Sequence, residues 1–583
     1  MSLLFIVPLL HLVAAPYTKV EESFNLQATH DILVHGIPLP FLSGTANGTH
    51  DAIERLSAYD HVTFPGAVPR TFTGAVLLAG LSKPIIALVG FQHAQLVVRA
   101  VLGTANAACL LVFWRSLRLA AGIGAARWWA AMIVTQFHVV YYLTRSLPNM
   151  YAFGLSKLPS LQPTSPLIGP NNHPLAATLA FAFILPQSTK RGASTRRKQA
   201  TACLTVAAAV FRSEVAILLV VTGAYLLASG QLTLWSMIPT FIASFIAALA
   251  LSVPVDSYLW QKWLWPELWG FYYNTVQGHA SNWGVSPWHY YLTSALPRLL
   301  LNPVALPLIL LSLLHPGLSQ GARHLVIPSA AFIAIYSFQP HKETRFIFYV
   351  VPPLTAAAAL GADFVTRRRS KSTLYALSHL ALLGSLALSL ALSAGMLLLS
   401  SLNYPGGDAL STLGSLLASA DTPPPSVVPV HADVLTCMTG LTLFTQNPAG
   451  LRLSHMQNDN QLSSPILLID KTEAKPTLDS PSFWDQFDYA LLEDPALALG
   501  NWEVVGVVQG FDGVEKYLPY RDQSGHDIEN TKSSLPSTGE ANVLGLGASL
   551  GAVREFAMGW TRGWWIGPRM SNRIRIMRNL DRA

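Results

Sequence analysis

The stretch LYALSHLALLGSLALSLALSAGMLLL, residues 374–399, contains no Asp, Glu, Lys or Arg. As a helix it is long enough to cross a hydrocarbon core of roughly 30 Å. The whole chain of 583 residues is 51% hydrophobic and only 12% charged, and its mean hydropathy is +0.38. Because soluble globular proteins carry about 25% charged residues, the sequence predicts a protein embedded in a lipid bilayer.

Apolar runs recur through the first two thirds of the chain and predict an all-α, polytopic membrane domain over 1–400, with about 11 transmembrane or partial helices. Several runs are shorter than the roughly 20 residues of a full span, and we expect these to be broken or re-entrant helices. A further stretch, 72–90, is interrupted by Lys83-Pro84 and is expected to lie along the membrane surface. The runs lie at about 1–15, 92–114, 128–144, 175–186, 200–211, 213–228, 231–252, 291–314, 323–339, 346–364 and 374–400.

Basic residues cluster in three places between apolar runs, a pattern typical of cytoplasmic loops. The net charge of +7 therefore does not indicate a nucleic-acid partner. The clusters are Arg115, Arg118 and Arg127; Lys190, Arg191, Arg196, Arg197 and Lys198; and Arg367, Arg368, Arg369 and Lys371. If all three are cytoplasmic, the parts predicted to be lumenal are the first loop 16–91, the loops 145–174, 253–290 and 340–345, and the break at Arg212. The sequon Asn47-Gly48-Thr49 in the first loop fits this sidedness.

The composition changes after the last apolar run, where Pro, Gly, Ser and Asp become common. Short apolar stretches at 490–492 and 504–508 resemble β-strands, so 401–520 is predicted to be a small, mixed α/β lumenal domain. The remainder, 521–583, is interpreted as a polar loop followed by a Trp- and Arg-rich segment at a membrane surface.

Two polar motifs stand in the first predicted lumenal loop, YTKVEESFN at 17–25 and YDHVTFPGAVPRTF at 59–72. Adjacent carboxylates beside a membrane helix are costly, which makes Glu21 and Glu22 functional candidates. A plainer alternative is that both favour the dipole at a solvated helix N-terminus. The second motif could equally be a Pro/Gly turn that leads into a surface helix.

Further motifs follow in the other loops, and together they resemble glycosyltransferase family 22, the dolichyl-phosphate-mannose-dependent mannosyltransferases. The order of the motifs is that of the family over about residues 17–354, and NYPGG at 403–407 is similar to the start of the family's tail. Roughly the last 60 residues match nothing in the family. The further motifs are TRSLPN at 144–149, FRSE at 211–214 and PHKETRF at 340–346.

The resemblance implies a fold of the GT-C type and a multi-pass enzyme of the endoplasmic reticulum membrane. It also implies that dolichyl-phosphate mannose is the donor, that a dolichyl-diphosphate-linked oligosaccharide is the acceptor, and that membrane lipid surrounds the enzyme. No cofactor is implied, and no Asp-Xaa-Asp triplet is present to suggest a metal. The segments YNTV, SNWG and SP at 273–276, 281–284 and 286–287 are most similar to members that form an α-1,6 linkage on the seven-mannose N-glycan precursor.

The same resemblance implies a catalytic role for the acidic pair. A β-linked donor and an α-linked product require inversion, and hence a base that takes the proton of the acceptor hydroxyl. Glu21 matches the acidic position of the family and is predicted to be this base, with Glu22 binding the acceptor or orienting nearby groups.

The departing phosphate needs cations, and the resemblance assigns them to the third motif. His341, Lys342 and Arg345 are predicted to bind the donor phosphate, as Arg can with a bidentate fork. The plainer alternative is a cluster of snorkelling cations at the interface. Arg145 is a further candidate, and Arg212 could either join it or simply pair with Glu214.

Acceptor binding is predicted for five residues of two loops, which are Asp60, His61, Asn274, Asn282 and Trp283. Six tryptophans between 260 and 288 could stack on the acceptor's sugars, although such density is also typical of an interfacial belt.

Two other functions stay open at the level of sequence. One is a family relative that acts on another mannose acceptor, such as a glycosylphosphatidylinositol precursor. The other is a transporter of lipid-linked sugars, which would be expected to show inverted repeats with paired broken helices. No such repeat is evident in the sequence.

Overall fold

A computed structural model describes residues 1–38, 48–154, 177–186, 190–419, 427–446, 466–517 and 542–582. Asn47 of the predicted sequon lies outside these ranges. The chain forms two compact units. The first comprises 1–14, 24–85 and 96–397, and the second comprises 15–23, 86–95 and 398–583.

The first unit is built from helices, because apolar runs without turn residues satisfy their backbone groups within the helix. Short π-helical segments interrupt the α-helices at Ala207–Phe211, Tyr272–Val276 and Tyr291–Ala295, and 3₁₀-helical segments do so at His279–Trp283 and Thr344–Val350. The α-helices are α1 (Leu3–Ala14), α2 (Ser23–His35), α3 (Gly48–Ser57), α4 (Asp60–Thr63), α5 (Thr73–Val89), α6 (Ala94–Thr135), α7 (Phe137–Tyr142), α8 (Pro148–Gly154), α9 (Ala177–Ile184), α10 (Lys190–Val206), α11 (Val215–Ala228), α12 (Leu234–Leu259), α13 (Pro266–Phe271), α14 (Leu296–Leu300), α15 (Ala305–Leu314), α16 (Pro316–Tyr336), α17 (Val351–Arg367) and α18 (Thr373–Ser401).

Four stretches of the described residues are long and apolar enough to cross a membrane, and the bent pair Tyr291–Leu300 and Ala305–Leu314 would make a fifth span. Shorter apolar helices are Leu3–Ala14, Thr73–Val89 and Val215–Ala228. The membrane character is confirmed, whereas the number of spans and the surface position of 72–90 stay predictions. The four stretches are Phe91–Thr135, Leu234–Leu259, Thr344–Arg367 and Thr373–Ser401.

Helix α6 joins two apolar runs that the sequence analysis treats as separate spans. Gly122 interrupts it with a non-helical backbone, φ 89° and ψ 169°. Because glycine lacks a Cβ, it adopts positive φ at little cost, and the helix direction can change there. The predicted break between 114 and 128 therefore occurs at a single glycine.

Helix α17 is the core of the first unit, since every residue from Val351 to Ala362 is buried. Its small side chains allow close approach, as is usual where membrane helices pack. Its backbone carbonyls also accept hydrogen bonds from neighbouring helices. Trp129 Nε1 donates to Pro352 O at 3.0 Å, and Ser312 Oγ donates to Ala357 O at 2.7 Å.

The three basic clusters come together in the first unit. Arg196 of the second cluster donates to Ser116 Oγ, next to the first, at 2.7 Å. A Cβ added at Gly122 would lie 3.5 Å from Nη2 of Arg367, which belongs to the third cluster. The clusters therefore lie near one another at one end of the unit, while the compartment that this end faces stays a prediction.

The second unit contains a six-stranded mixed sheet in the order β2-β1-β3-β6-β4-β5. Strand β1 pairs in parallel with β2 and β3, and the long β6 pairs antiparallel with β3 and β4. Its elements are α19 (Pro405–Ala418), β1 (Val427–Ala432), α20 (Val434–Met438), α21 (Leu443–Gln446), β2 (Ile466–Asp470), α22 (Lys475–Leu478), α23 (Pro481–Trp484), β3 (Tyr489–Leu492), β4 (Trp502–Tyr517), β5 (Val543–Leu544), α24 (Gly545–Trp560) and β6 (Trp565–Asn579).

Strands β3 and β4 confirm the two predicted strands, but the domain boundary at 520 is wrong. The segment interpreted as lying on a membrane surface is largely β6, in the middle of the sheet. Buried and exposed side chains alternate in this segment, since Ile574 and Ile576 are fully buried and arginines flank them. The high content of Trp and Arg concealed this alternation in the sequence. That alternation is the pattern of a strand with one buried face, and the described residues on both sides of 520 belong to one sheet.

We expect Gly361→Ala to destabilise the first unit by about 1–3 kcal/mol, the usual cost of overpacking. The added Cβ would lie 2.7 Å from Leu308 O and 3.1 Å from Ser312 Oγ, so the helix backbones must separate. Thermal unfolding in detergent measures the effect.

Gly384→Ala is the matched control, since nothing lies within 4 Å of the position where its Cβ would be. Both glycines lie inside long apolar helices, so the change in helix propensity is the same. Equal melting temperatures for the two variants would contradict the close packing of α17.

Candidate functional site

The acidic pair lies in a short 3₁₀ turn, Val20–Glu22, of the second unit. Glu21 is exposed and has no hydrogen bond or ion pair with any residue in the described ranges. Glu22 is only 3% exposed, and its Oε1 lies 3.4 Å from the backbone nitrogen of Lys19. Adjacent positions of one turn therefore present one carboxylate outward and hold the other inside.

This turn is anchored on the rest of the second unit by the residues that precede it. The Tyr17 ring packs on Gly407, where a Cβ would lie 2.4 Å from Tyr17 Cδ1, so only glycine fits. The Lys19 ammonium lies 5.9 Å from the centre of the Tyr404 ring. Burial raises the pKa of Tyr17, which keeps its hydroxyl neutral.

The cationic motif forms a compact turn in the first unit. Glu343 lies at its centre and accepts Arg345 Nε at 2.6 Å and Nη2 at 2.7 Å in a bidentate pair. His341 Nε2 is 3.1 Å from the same carboxylate. Two of the three predicted phosphate ligands are thus held in place by one acid.

Lys342, the third predicted ligand, faces the interior and is only 6% exposed. Its Nζ donates to Ser286 O at 2.9 Å and to Gln339 O at 2.5 Å, and Ser286 N donates to Pro340 O at 3.0 Å. Burial lowers the pKa of Lys342. Lys342 therefore ties the cationic turn to the loop at 284–287, a contact that the sequence analysis did not predict.

Arg212 forms the pair with Glu214 that the sequence analysis offered as its plainer role. Arg212 Nε lies 2.8 Å from Oε1 and 3.0 Å from Oε2 of this buried carboxylate. Asn149 Nδ2 and Tyr349 Oη also donate to Glu214 Oε1, at 2.8 and 3.2 Å. The motifs at 144–149, 211–214 and 340–346 therefore converge around Glu214, since Tyr349 lies in the turn that continues the last of them.

Arg212 and Arg345 both lie against the Phe346 ring, with their guanidinium carbons 5.4 and 5.8 Å from its centre. Their charges act on a third cation, Arg70. Burial, together with the positive charges of Arg212 and Arg345, lowers the pKa of Arg70 to about 10. Arg70 is half-buried, and its guanidinium makes no hydrogen bond or ion pair with any described side chain.

Arg70 is a functional candidate that the sequence analysis missed. It lies in the motif at 59–72 and is the only Arg or Lys there. A single cation in a family motif could have indicated a binding role from the sequence. Its backbone is fixed, because Trp260 Nε1 donates to Arg70 O at 2.9 Å. A guanidinium whose donors are not engaged by described side chains can bind an anion in a bidentate geometry.

Glu267 contributes little negative charge to this region. Its Oε2 accepts from Ser213 N at 2.6 Å, and burial raises its pKa to about 8 despite the opposing effect of Arg212. Glu267 is therefore mostly protonated at neutral pH. The arginines Arg70, Arg212 and Arg345 then outnumber the carboxylates of Glu214 and Glu343.

Arg145 is buried at 2% exposure, and its guanidinium lies 4.1 Å from the centre of the Tyr141 ring and contacts the Tyr141 hydroxyl. The structure holds it by this stacking contact, so Arg145 is less available to a ligand than Arg70. Within the described ranges, no group of three His, Cys, Asp or Glu side chains is arranged to bind a metal ion.

Asp60 and His61 have structural contacts in the first unit. His61 Nε2 lies 2.9 Å from Leu259 O, and its ring packs between Phe72 and Trp260 at centroid distances of 4.8 Å. The backbone nitrogen of Asp60 donates to Asp31 Oδ2 at 2.8 Å. His61 thus joins the first loop to the end of α12.

The predicted acceptor-binding residues of the other loop are more open. Asn282 is exposed and Trp283 is 55% exposed, while the half-buried Asn274 donates to Gly270 O at 3.0 Å. The six tryptophans fall into two groups. Trp260 and Trp265 donate to backbone carbonyls, whereas the exposed ones are Trp263, Trp269, Trp283 and Trp288.

Curated relatives match most of this chain. The Dol-P-Man:Man(7)GlcNAc(2)-PP-Dol alpha-1,6-mannosyltransferase of Saccharomyces cerevisiae is 30% identical, over 87% of this chain and 86% of the relative. The protein of the same name from Drosophila melanogaster is 34% identical over 76% of this chain. The chain spans only 58% of the Drosophila relative.

The fold is also that of a solved structure, ArnT from Cupriavidus metallidurans bound to undecaprenyl phosphate. The TM-score is 0.50 at 12% identity, and the likeness covers 85% of this chain and 92% of ArnT. It supports the predicted GT-C architecture. A family model described as the Alg9-like mannosyltransferase family matches residues 47–399. The chain therefore belongs to the Alg9-like mannosyltransferase family, as the resemblance of its motifs to glycosyltransferase family 22 predicts.

Proposed function

We propose that this protein transfers mannose from dolichyl-phosphate mannose, in α-1,6 linkage, to the lipid-linked seven-mannose oligosaccharide. The observation that carries the proposal is the similarity of sequence to relatives named for this reaction. They are 30–34% identical to this protein over more than three quarters of its chain. A lumenal site in the endoplasmic reticulum membrane is part of the proposal. The grouping of the basic clusters at one end of the first unit supports it.

The reaction is a single displacement with inversion. An oxygen of the acceptor forms a bond to the anomeric carbon of mannose as the bond from that carbon to the phosphate oxygen breaks. The hydroxyl proton passes to a carboxylate, and the electron pair of the broken bond leaves with dolichyl phosphate. The phosphate gains one negative charge, so preorganised cations lower the barrier.

The exposed carboxylate of Glu21 is the proposed base. A base must come within hydrogen-bond reach of the acceptor hydroxyl, and Glu21 is the member of the pair that faces outward. Glu22 is buried beside the turn's own backbone, which suits an orienting role. The packing of Tyr17 on Gly407 would fix the direction in which Glu21 points.

Arg70 and Arg345 are the proposed ligands of the donor phosphate. Arg70 brings an uncompensated charge, and Arg345 is oriented by Glu343 with further guanidinium donors to offer. Lys342 and His341 hold the turn in place through Ser286 and Glu343. Arg212 adds positive charge near the proposed phosphate site, but its guanidinium is paired with Glu214.

The exposed amide and ring of Asn282 and Trp283 are the proposed contacts to the sugars of the acceptor. A ring that is 55% exposed can stack on a pyranose face, and Asn274 lies close by along the chain. Asp60 and His61 would act indirectly, by fixing the loop that carries Arg70.

Purified protein supplied with dolichyl-phosphate mannose is expected to add one mannose to the seven-mannose acceptor, and linkage analysis of the product should give α-1,6. Transfer to a glycosylphosphatidylinositol precursor instead would assign it to another branch of the family. Movement of a lipid-linked sugar across liposomes without any transfer would favour the transporter.

We expect Glu21→Gln to lower kcat by roughly 10²–10⁴-fold, the usual contribution of a general base. Glu22→Gln should be less damaging and is the matched control, because it removes the neighbouring charge of the same turn. Single-turnover assays with both lipid substrates measure the difference. Near-normal turnover by the Glu21→Gln enzyme would assign the proton transfer to another group.

Arg70→Ala should raise KM for dolichyl-phosphate mannose about 10-fold or more, because a charge-assisted hydrogen bond is worth about 1.5–3 kcal/mol. The KM for the acceptor should change little. Arg345→Ala is expected to behave similarly.

Arg369→Ala, which removes an exposed arginine of a basic cluster, is the control for lost charge. Equal losses for donor and acceptor in the Arg70→Ala enzyme would show that this residue acts through the loop's structure and not through phosphate.

A further inference from the structure

A polar cavity of about 290 Å³ lies in the first unit, and none of its lining residues belongs to the sequence motifs discussed above. It is lined by parts of α10 and α16 and by the residues just after α9 and α11. The polar residues that line it are Arg197, Ser229, Gln231, Gln320 and His324. No function has been assigned to them so far.

Arg197 gives the cavity a positive charge that the protein does not neutralise. Its Nη1 donates to Gln231 O at 3.0 Å, and no ion pair to it exists among the described residues. None of the residues that line the cavity is Asp or Glu. An uncompensated, half-buried guanidinium favours an anionic ligand.

The side chain of Gln231 indicates that a ligand in the cavity should also carry a hydrogen-bond donor. Its Oε1 is buried without a hydrogen-bond partner among the residues that the structure describes. Its Nε2 and the Tyr225 hydroxyl lie 3.2 and 2.8 Å from His324 Nδ1. The cavity thus offers a buried acceptor beside donors.

The ligand must therefore carry an anionic group for Arg197 and a hydrogen-bond donor for Gln231 Oε1. An ammonium would suit the amide oxygen but would stand near Arg197 with no carboxylate in the lining to stabilise it. A hydroxyl meets the requirement without charge. A phosphodiester that bears hydroxyl groups combines both features.

The position of the cavity indicates a lipid source for this phosphodiester. It lies where the apolar helices α9 and α11 end, at Ile184 and Ala228, and beside the basic cluster at the start of α10. Helix ends of this kind lie at the depth of lipid headgroups, and basic pockets between membrane helices bind anionic ones. We propose that the cavity binds the headgroup of phosphatidylinositol.

The test uses the whole protein in nanodiscs of phosphatidylcholine, with and without phosphatidylinositol. Native mass spectrometry after detergent release should detect retained phosphatidylinositol, and the lipid should raise Tm by stabilising the folded state. Gln231→Glu, which places a carboxylate beside Arg197 without changing size, and Arg197→Ala should each reduce retention at least 10-fold. Arg369→Ala should not.

The other outcomes each overturn part or all of the proposal. Equal retention by the wild-type protein and both cavity variants would mean that the lipid binds elsewhere. Equal stabilisation by phosphatidylserine would remove the requirement for hydroxyls. Displacement of the lipid by millimolar inositol 1-phosphate or inorganic phosphate would identify a site for a soluble phosphate compound. Mannosyl transfer is not part of the readout, so the result does not depend on the proposed function.

Discussion

The buried carboxylate of Glu214 is the constraint on which the arrangement of the first unit depends. A buried charge is costly unless it is paired and hydrogen-bonded, and Glu214 obtains its partners from three separate parts of the chain. Arg212 comes from the break before α11, Asn149 from the start of α8, and Tyr349 from the turn that leads into α17. Loss of any one would leave charge or polar groups unsatisfied, so these segments are held close together.

Near this carboxylate, Arg70 differs from the two other arginines in its pairing. Arg212 and Arg345 each have a carboxylate, at 2.8 and 2.6 Å, whereas the Arg70 guanidinium contacts none among the residues that the structure describes. The neighbouring cations make its charged form less stable, as its lowered pKa indicates. An arginine kept in an unfavourable field by a fixed backbone is stabilised most by an anion. Electrostatics alone therefore favour an anion there.

The sequence predicted what depends on local composition and missed what depends on distant partners. The apolar runs and the strand at Tyr489–Leu492 have periodicities that short windows reveal. The strand Trp565–Asn579 was missed, because its partners lie far along the chain and its arginines suggested a surface. In the site, motif resemblance indicated the loops that matter. It could not distinguish Lys342, which donates to Ser286 O, from Arg70, which has no ion pair among the described residues.

Motif residues can act in two ways, and their contacts distinguish them. The side chains of His61 and Lys342 form hydrogen bonds with backbone carbonyls, so these two residues fix the positions of loops. Glu21 and Arg70 have no such contacts among the described residues. Each nevertheless lies on backbone that other residues hold in place, in one case through Tyr17 and in the other through the indole that binds the Arg70 carbonyl. A fixed backbone limits the positions that each of these side chains can reach, so binding a ligand orders the side chain alone and not the loop that carries it.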